Sequence, residues 1–223
     1  MNTLHLTTTH DAPGRGPVGL AWDGRYLWNA DYATGTLYQL DINTMHVVKT
    51  FLCPGNLSGT AWDGTHLWQS LHDANYLRSI NPASNDFDDA IDLADQGWLA
   101  GLAWDGRLLW AVSQQQGSLL AVDPATRQIE RTLAIPQAGG GLDYYDGSLW
   151  LGAPLTMTFD PVYQEFNWVS DTPRFAVLQL DPQDGRELAR YAVDFLPMGL
   201  AWANGELWLS HTGGRKLHRA RLQ

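Results

Sequence analysis

Gly19-Leu20-Ala21-Trp22-Asp23-Gly24-Arg25-Tyr26-Leu27-Trp28 decides the fold, because the chain repeats it. It returns as Gly59-Thr60-Ala61-Trp62-Asp63-Gly64 and as Gly101-Leu102-Ala103-Trp104-Asp105-Gly106. Looser copies are Gly141-Leu142-Asp143-Tyr144-Tyr145-Asp146-Gly147 and Gly199-Leu200-Ala201-Trp202-Ala203-Asn204-Gly205. A Leu-Trp pair follows every copy, at 27–28, 67–68, 109–110, 149–150 and 207–208. The starting glycines lie 40, 42, 40 and 58 residues apart.

Each unit reads as strands. Asp-Gly and Asn-Gly between apolar runs are two-residue hairpin signals, since such turns need positive φ. An alternating run follows, such as Thr36-Leu37-Tyr38-Gln39-Leu40-Asp41, then a second turn such as Asp123-Pro124-Ala125-Thr126. A closing run such as His46-Val47-Val48-Lys49-Thr50-Phe51 ends the unit. Four antiparallel strands at a period near 40 are what propeller blades require. The expectation is all-β: a five-bladed β-propeller forming one domain over residues 1–223. Blade starts fall near 19, 59, 101, 141 and 199, with a loop insertion at about 152–173 in the fourth blade. The fifth unit ends after three strands, and Thr3-Leu4-His5-Leu6-Thr7-Thr8-Thr9 is left unassigned. Pairing the two completes the last blade and removes an exposed edge.

Composition narrows the function. The 223 residues carry a formal charge of −10, against the basic face that nucleic acid needs. The start of the chain lacks a signal-peptide core, and no run approaches a membrane span. One cysteine, Cys53, excludes an intramolecular disulfide and a four-cysteine zinc site. These features predict a cytoplasmic protein with a small-molecule ligand and no nucleic-acid or membrane partner.

Strand direction puts the repeated Asp-Gly and Asp-Pro turns at one end of every unit. The variable loops and the insertion fall at the other, where a ligand would bind over the central funnel. Asp31, His72 with Asp73, and His211 occupy related positions there, with His10-Asp11 entering the same sector. Imidazole and carboxylate together can act as acid and base or hold a divalent metal ion. Asp31, His72 and His211 are the candidates for both roles. Nine of the 11 tryptophans fill repeat positions and serve packing between blades. Trp98 and Trp168 break the pattern. With Tyr163 and Phe166 of the insertion (near Phe159), and with Tyr32 and Asp73, they form the candidate ligand-binding set. The insertion reads equally as a lid or as a homo-oligomer interface.

The Gly-Leu-Ala-Trp-Asp-Gly…Leu-Trp…Leu-Asp pattern resembles the strand repeat of NHL-type propellers and of virginiamycin B lyase. The five-unit count and the length are more similar to the glutamine cyclotransferase family. Its members are five-bladed propellers that turn N-terminal glutamine into pyroglutamate. Gly97-Trp98-Leu99-Ala100-Gly101-Leu102 resembles that family's Gly-Trp-Gly-Leu segment. The family's Glu-Ser-Thr-Gly, which bears its catalytic carboxylate, falls on Asn29-Ala30-Asp31-Tyr32, so the Glu is absent and Asp31 is the nearest acid. The virginiamycin lyases' metal-binding His and Glu pattern is not present. The resemblance implies the fold and a funnel site. Two functions follow: an enzyme working by acid–base or metal-assisted lyase, cyclotransferase or hydrolase chemistry, or a non-catalytic module for ligand binding or protein interaction.

Overall fold

The computed structural model describes residues 2–135, 139–172 and 174–222. Residues 1 and 223, at the expected domain limits, and 173, at the end of the expected insertion, lie outside that set. The described residues form strands, joined by turns and one short 3-10 turn at Ala94–Gln96. Strand β1 (Asn2–Asp11) comes first. The first sheet is β2 (Pro17–Trp22), β3 (Tyr26–Asp31), β4 (Thr36–Asp41) and β5 (Val47–Leu52), in that spatial order. The second is β6 (Leu57–Trp62), β7 (Leu67–Leu71), β8 (Tyr76–Ile80) and β9 (Phe87–Asp92). The third is β10 (Leu99–Trp104), β11 (Leu109–Ser113), β12 (Ser118–Asp123) and β13 (Gln128–Ala134).

Next come β14 (Leu142–Tyr145), β15 (Ser148–Pro154), the separate hairpin β16 (Met157–Asp160) and β17 (Glu165–Trp168), β18 (Phe175–Leu180) and β19 (Glu187–Val193). The chain finishes with β20 (Gly199–Ala203), β21 (Glu206–His211) and β22 (Lys216–Leu222). The last eight-stranded sheet has the order β14-β15-β18-β19-β1-β22-β21-β20. It is two four-strand groups that touch where Asn2 and Thr3 run parallel to Tyr191 and Ala192. Strand β1 runs antiparallel to β22, with Thr9 opposite His218 and His5 opposite Arg221. The unassigned N-terminal strand therefore does complete the C-terminal group.

The repeated glycine explains the arrangement of the sheets. A Cβ on Gly19 would come within 3.0 Å of the backbone of β6, and one on Gly59 would do the same to β10. Gly101 meets Leu142 and its neighbours, Gly141 meets Gly199, and Gly199 meets Val18 and Leu20 of β2. The first strand of each group thus abuts the first strand of the next, and the sequence of contacts returns to its start. Glycine is required for close backbone approach. This closed set of abutting four-stranded sheets is consistent with a β-propeller.

Middle strands β3, β7 and β11 are buried almost end to end, because both faces meet neighbouring sheets. Outer strand β13 alternates between exposed and half-buried. Trp28, Trp110 and Trp208 are fully buried between sheets, and Cys53 lies inside the cluster around Trp28. Among the described residues no helix is long and apolar enough to cross a membrane.

The hairpins come in two kinds. In the first three units Gly24, Gly64 and Gly106 alone take positive φ, near 91–101°, and the side chain of the preceding Asp accepts the N–H three residues on. In the fourth and fifth, Asp146-Gly147 and Asn204-Gly205 both do, which makes type I′ turns. The insertion is not a plain loop. Asp160 Oδ1 accepts from the N–H groups of Val162 and Tyr163, and Gln164 takes φ 53°, so β16 and β17 pair as a hairpin of their own.

Candidate functional site

At the ends where β2, β6 and β20 begin lies an open cleft of about 300 Å³. Val18 and Tyr32 come to it from the first sheet, Leu57, Ser58 and His72 from the second, and Met198 and Thr212 from the fifth group. Its lining is mainly apolar, as small-molecule sites commonly are. The sector is the one expected from the loop positions. The residues that line it differ in part.

His72 lies in the turn after β7 and lines the cleft. Its Nδ1 is 3.1 Å from the Leu99 carbonyl oxygen, which only accepts, so Nδ1 carries the proton and donates. In the neutral ring the lone pair then belongs to Nε2, the nitrogen available to a ligand. The ring also packs on Trp98, with centroids 5.3 Å apart. Trp98 is held in turn by the third sheet: its N–H donates to the Gln115 side-chain oxygen at 3.0 Å, and its carbonyl accepts from Gln114 N–H. Phe159 and Phe166 of the inserted hairpin also pack on Trp98, at 6.3 and 6.1 Å. His72, Trp98, Phe159 and Phe166 form one continuous aromatic wall, of which His72 reaches the cleft lining.

Three expectations need correction. Asp31 is not a free acid. It is fully buried, Oδ2 accepts from Gly16 N–H at 2.7 Å, and Oδ1 accepts from Thr34 N–H and Thr34 Oγ1, each at 2.9 Å. Its oxygens staple the segment before β2 to the turn after β3. His211 is packed away from the cleft lining: its ring stacks on Phe195 at 4.3 Å and lies 5.8 Å from His218, and burial lowers its pKa. Its neighbour Thr212 lines the cleft instead. Asp31, His72 and His211 therefore do not converge as metal ligands, and among the described residues no three His, Cys, Asp or Glu side chains do.

The remaining candidates separate as well. Tyr32 lines the cleft and is half exposed. Asp73 is exposed beside His72 and is absent from the lining. Tyr163 is at the hairpin tip, 75% exposed, and Trp168 packs edge-on against Phe175, so neither belongs to the wall. His10 stacks over Trp208, and Asp11 pairs with Lys216 at 2.6 Å. Arg78 was not anticipated. It is buried in the second sheet, bonding to Gln69 Oε1 and the Pro54 carbonyl while its guanidinium covers Phe87. No sequence signal separated it from a surface arginine.

The architecture places the chain among all-β folds of propeller type, and solved structures agree with that assignment. The crystal structure of Myxococcus xanthus glutaminyl cyclase matches all of this chain and 97% of its own, at 16% identity and a TM-score of 0.78. Kuenenia stuttgartiensis hydrazine synthase matches 87% of this chain and 53% of its own, at 14% identity and a TM-score of 0.54. A chain of the mitotic checkpoint complex matches 99% of this chain and 93% of its own, at 13% identity and a TM-score of 0.59. At these identities the likeness concerns the fold. No protein-family model and no curated protein sequence matches the chain.

Proposed function

We propose that residues 1–223 form a single five-bladed β-propeller domain, and that the protein is an enzyme acting on a small molecule in the cleft beside His72. The reading of five blades is supported by the closed succession of first strands β2, β6, β10, β14 and β20. The enzymatic reading rests on one observation: the Leu99 carbonyl fixes the His72 tautomer and leaves Nε2 as the acid–base atom. Fold likeness to a glutaminyl cyclase favours cyclotransfer within the lyase, cyclotransferase and hydrolase group. There an α-amine attacks the side-chain carboxamide of its own residue, forming a C–N bond and expelling ammonia. His72 Nε2 takes the amine proton and passes it to the leaving nitrogen. The metal-assisted version loses its support, because Asp31 and His211 are engaged elsewhere.

Incubation with peptides bearing N-terminal glutamine, followed by ammonia release, tests this. Turnover is expected, and His72→Ala should lower kcat by about 100-fold or more with the fold intact. Wild-type protein that releases no ammonia overturns the cyclotransfer reading.

The second reading is a binding or interaction module. It is favoured by Asp31, which stands nearest the place of the family's catalytic acid yet has both oxygens occupied. Val162, Tyr163, Trp168 and Val169 of the insertion are exposed apolar groups that would suit a partner or a second copy. If deleting residues 157–168 dissolves a dimer and leaves turnover absent in both forms, this reading gains.

A further inference from the structure

A second cavity, of about 120 Å³, lies at the opposite ends of the first strands. Trp22, Trp62, Trp104 and Trp202 line it together with Asp143 and Tyr144. Asp143 stands where the other four repeats carry Ala21, Ala61, Ala103 and Ala201. Four repeats build the same strand with alanine, so sheet formation does not demand the acid.

Its carboxylate is tied by backbone donors and has no ion-pair partner among the described residues. Oδ2 accepts from Trp202 N–H at 2.6 Å and Oδ1 from Tyr144 N–H at 2.9 Å. Burial pushes the group up to about 7, so that without a neighbouring cation it readily takes up a proton near neutrality, and a cation seated beside it would hold it ionised. An acid beside four indoles suits a positive ligand, since the aromatic quadrupole attracts cations.

The type of cation follows from what surrounds it. Calcium wants six to eight oxygens, and only one carboxylate is present, with no second or third acidic ligand among the described residues. An inorganic anion is opposed by the carboxylate itself. The volume is below that of a whole-metabolite site, so it takes a head group. We propose that this mouth binds a methylated ammonium head group, held between the tryptophans against the Asp143 carboxylate. This site is independent of the cleft at His72.

The shared chemistry fits a free quaternary amine or a trimethylated lysine side chain. Calorimetric titration of the whole chain separates them, using tetramethylammonium in one arm and a short trimethyl-lysine peptide in another. The uncharged isostere 3,3-dimethyl-1-butanol, calcium chloride and sodium acetate serve as controls. Saturable binding is expected in the tetramethylammonium arm, at least about tenfold tighter than the isostere. Tighter binding of the peptide assigns the protein side chain as the source, and equal binding the free amine. Asp143→Asn keeps the shape and Asp143→Ala restores the residue of the other repeats; each should weaken binding about tenfold, and the alanine variant, which strips the Trp202 and Tyr144 N–H groups of their acceptor, should also lower Tm. Isostere binding as tight as the cation, competition by acetate, or unchanged affinity in both variants overturns the proposal. So does failure to saturate at millimolar concentration. The isostere comparison uses the unaltered protein and decides even where a variant does not fold.

Discussion

Asp105 makes three hydrogen bonds from one short side chain. Oδ1 accepts from the N–H groups of Arg107 and Leu108 at 2.8 and 2.7 Å, and Oδ2 accepts from Trp110 Nε1 at 2.7 Å. Asp23 and Asp63 repeat the same clasp on Trp28 and Trp68. The acid shapes the hairpin turn and satisfies an indole whose ring is buried between sheets. Asp105→Ala strips the turn of its acceptor and leaves the Trp110 N–H unpaired, at a cost of about 2–3 kcal/mol by urea unfolding. A loss below about 0.5 kcal/mol, the size of an ordinary surface change, would refute the clasp. In the fifth unit Ala203 replaces the acid, and Trp208 Nε1 is buried without a partner. The recurring Trp-Asp-Gly was legible as a hairpin, but the indole as the acid's partner was not. Tryptophan persists in the two units that lose the aspartate, so the sequence hides the pairing. Asp31 misled for a related reason: residue type announces an acid, whereas its availability depends on Gly16 and Thr34 folding onto it.

At the scale of elements, the joint between β1 and β22 contains a buried imidazole. His218 Nδ1 is 2.9 Å from Thr9 Oγ1, and its ring lies 4.6 Å from Phe195 and 5.8 Å from His211. Burial, then the charges of His211 and Lys216, pushes His218 down to about 4 from an ordinary value of 6.5. At this residue the unfolded chain therefore binds more protons than the native one between those values, and the contribution of His218 to stability falls as pH drops from about 6.5 to about 4. Asp143, raised to about 7, binds its proton in the native chain and acts in the opposite direction over the same window, so the histidine is read as a difference. On acidification from about pH 6.5 to about 4, His218→Gln should lose less thermal stability than the unaltered protein, with a remainder from His211, which is lowered in the same direction as His218. An identical slope in the variant would remove His218 as the cause. The orphan strand near Thr3–Thr9 was readable because an incomplete last unit needs a fourth strand. The inserted hairpin was not, although Asp160-Pro161 repeats the turn signal of Asp123-Pro124. Its strands are only four residues each, too short for periodicity to register.

At the scale of the whole molecule, the repeated glycines decide how the sheets meet. The loop face and its sector were readable from them, because strand direction follows from the repeat. Which side chains line the cleft was not, since His211 and Thr212 are adjacent and only packing on Phe195 separates their roles. Gly59 shows how tight the junction is. Its N–H donates to Ser70 Oγ at 2.7 Å, and that hydroxyl donates to the Ala100 carbonyl at 2.5 Å, tying the second sheet to the third. A Cβ at position 59 would be driven into that same carbonyl. Backbone cannot yield as a flexible side chain does, so Gly59→Ala must part the sheets and stretch the Ser70 bridge. The expected cost is about 1–3 kcal/mol, with a lower midpoint in urea. Gly64→Ala is the comparison, because Gly64 has positive φ and open space around it. That change strains one turn and leaves the junction alone. If Gly59 carries the contact between sheets, its variant alone should expose the half-buried Trp62 and Trp104 further, read as a red shift in tryptophan emission under native conditions. Matching spectra for the two variants would mean that the junction tolerates the methyl group and that its closeness has another cause.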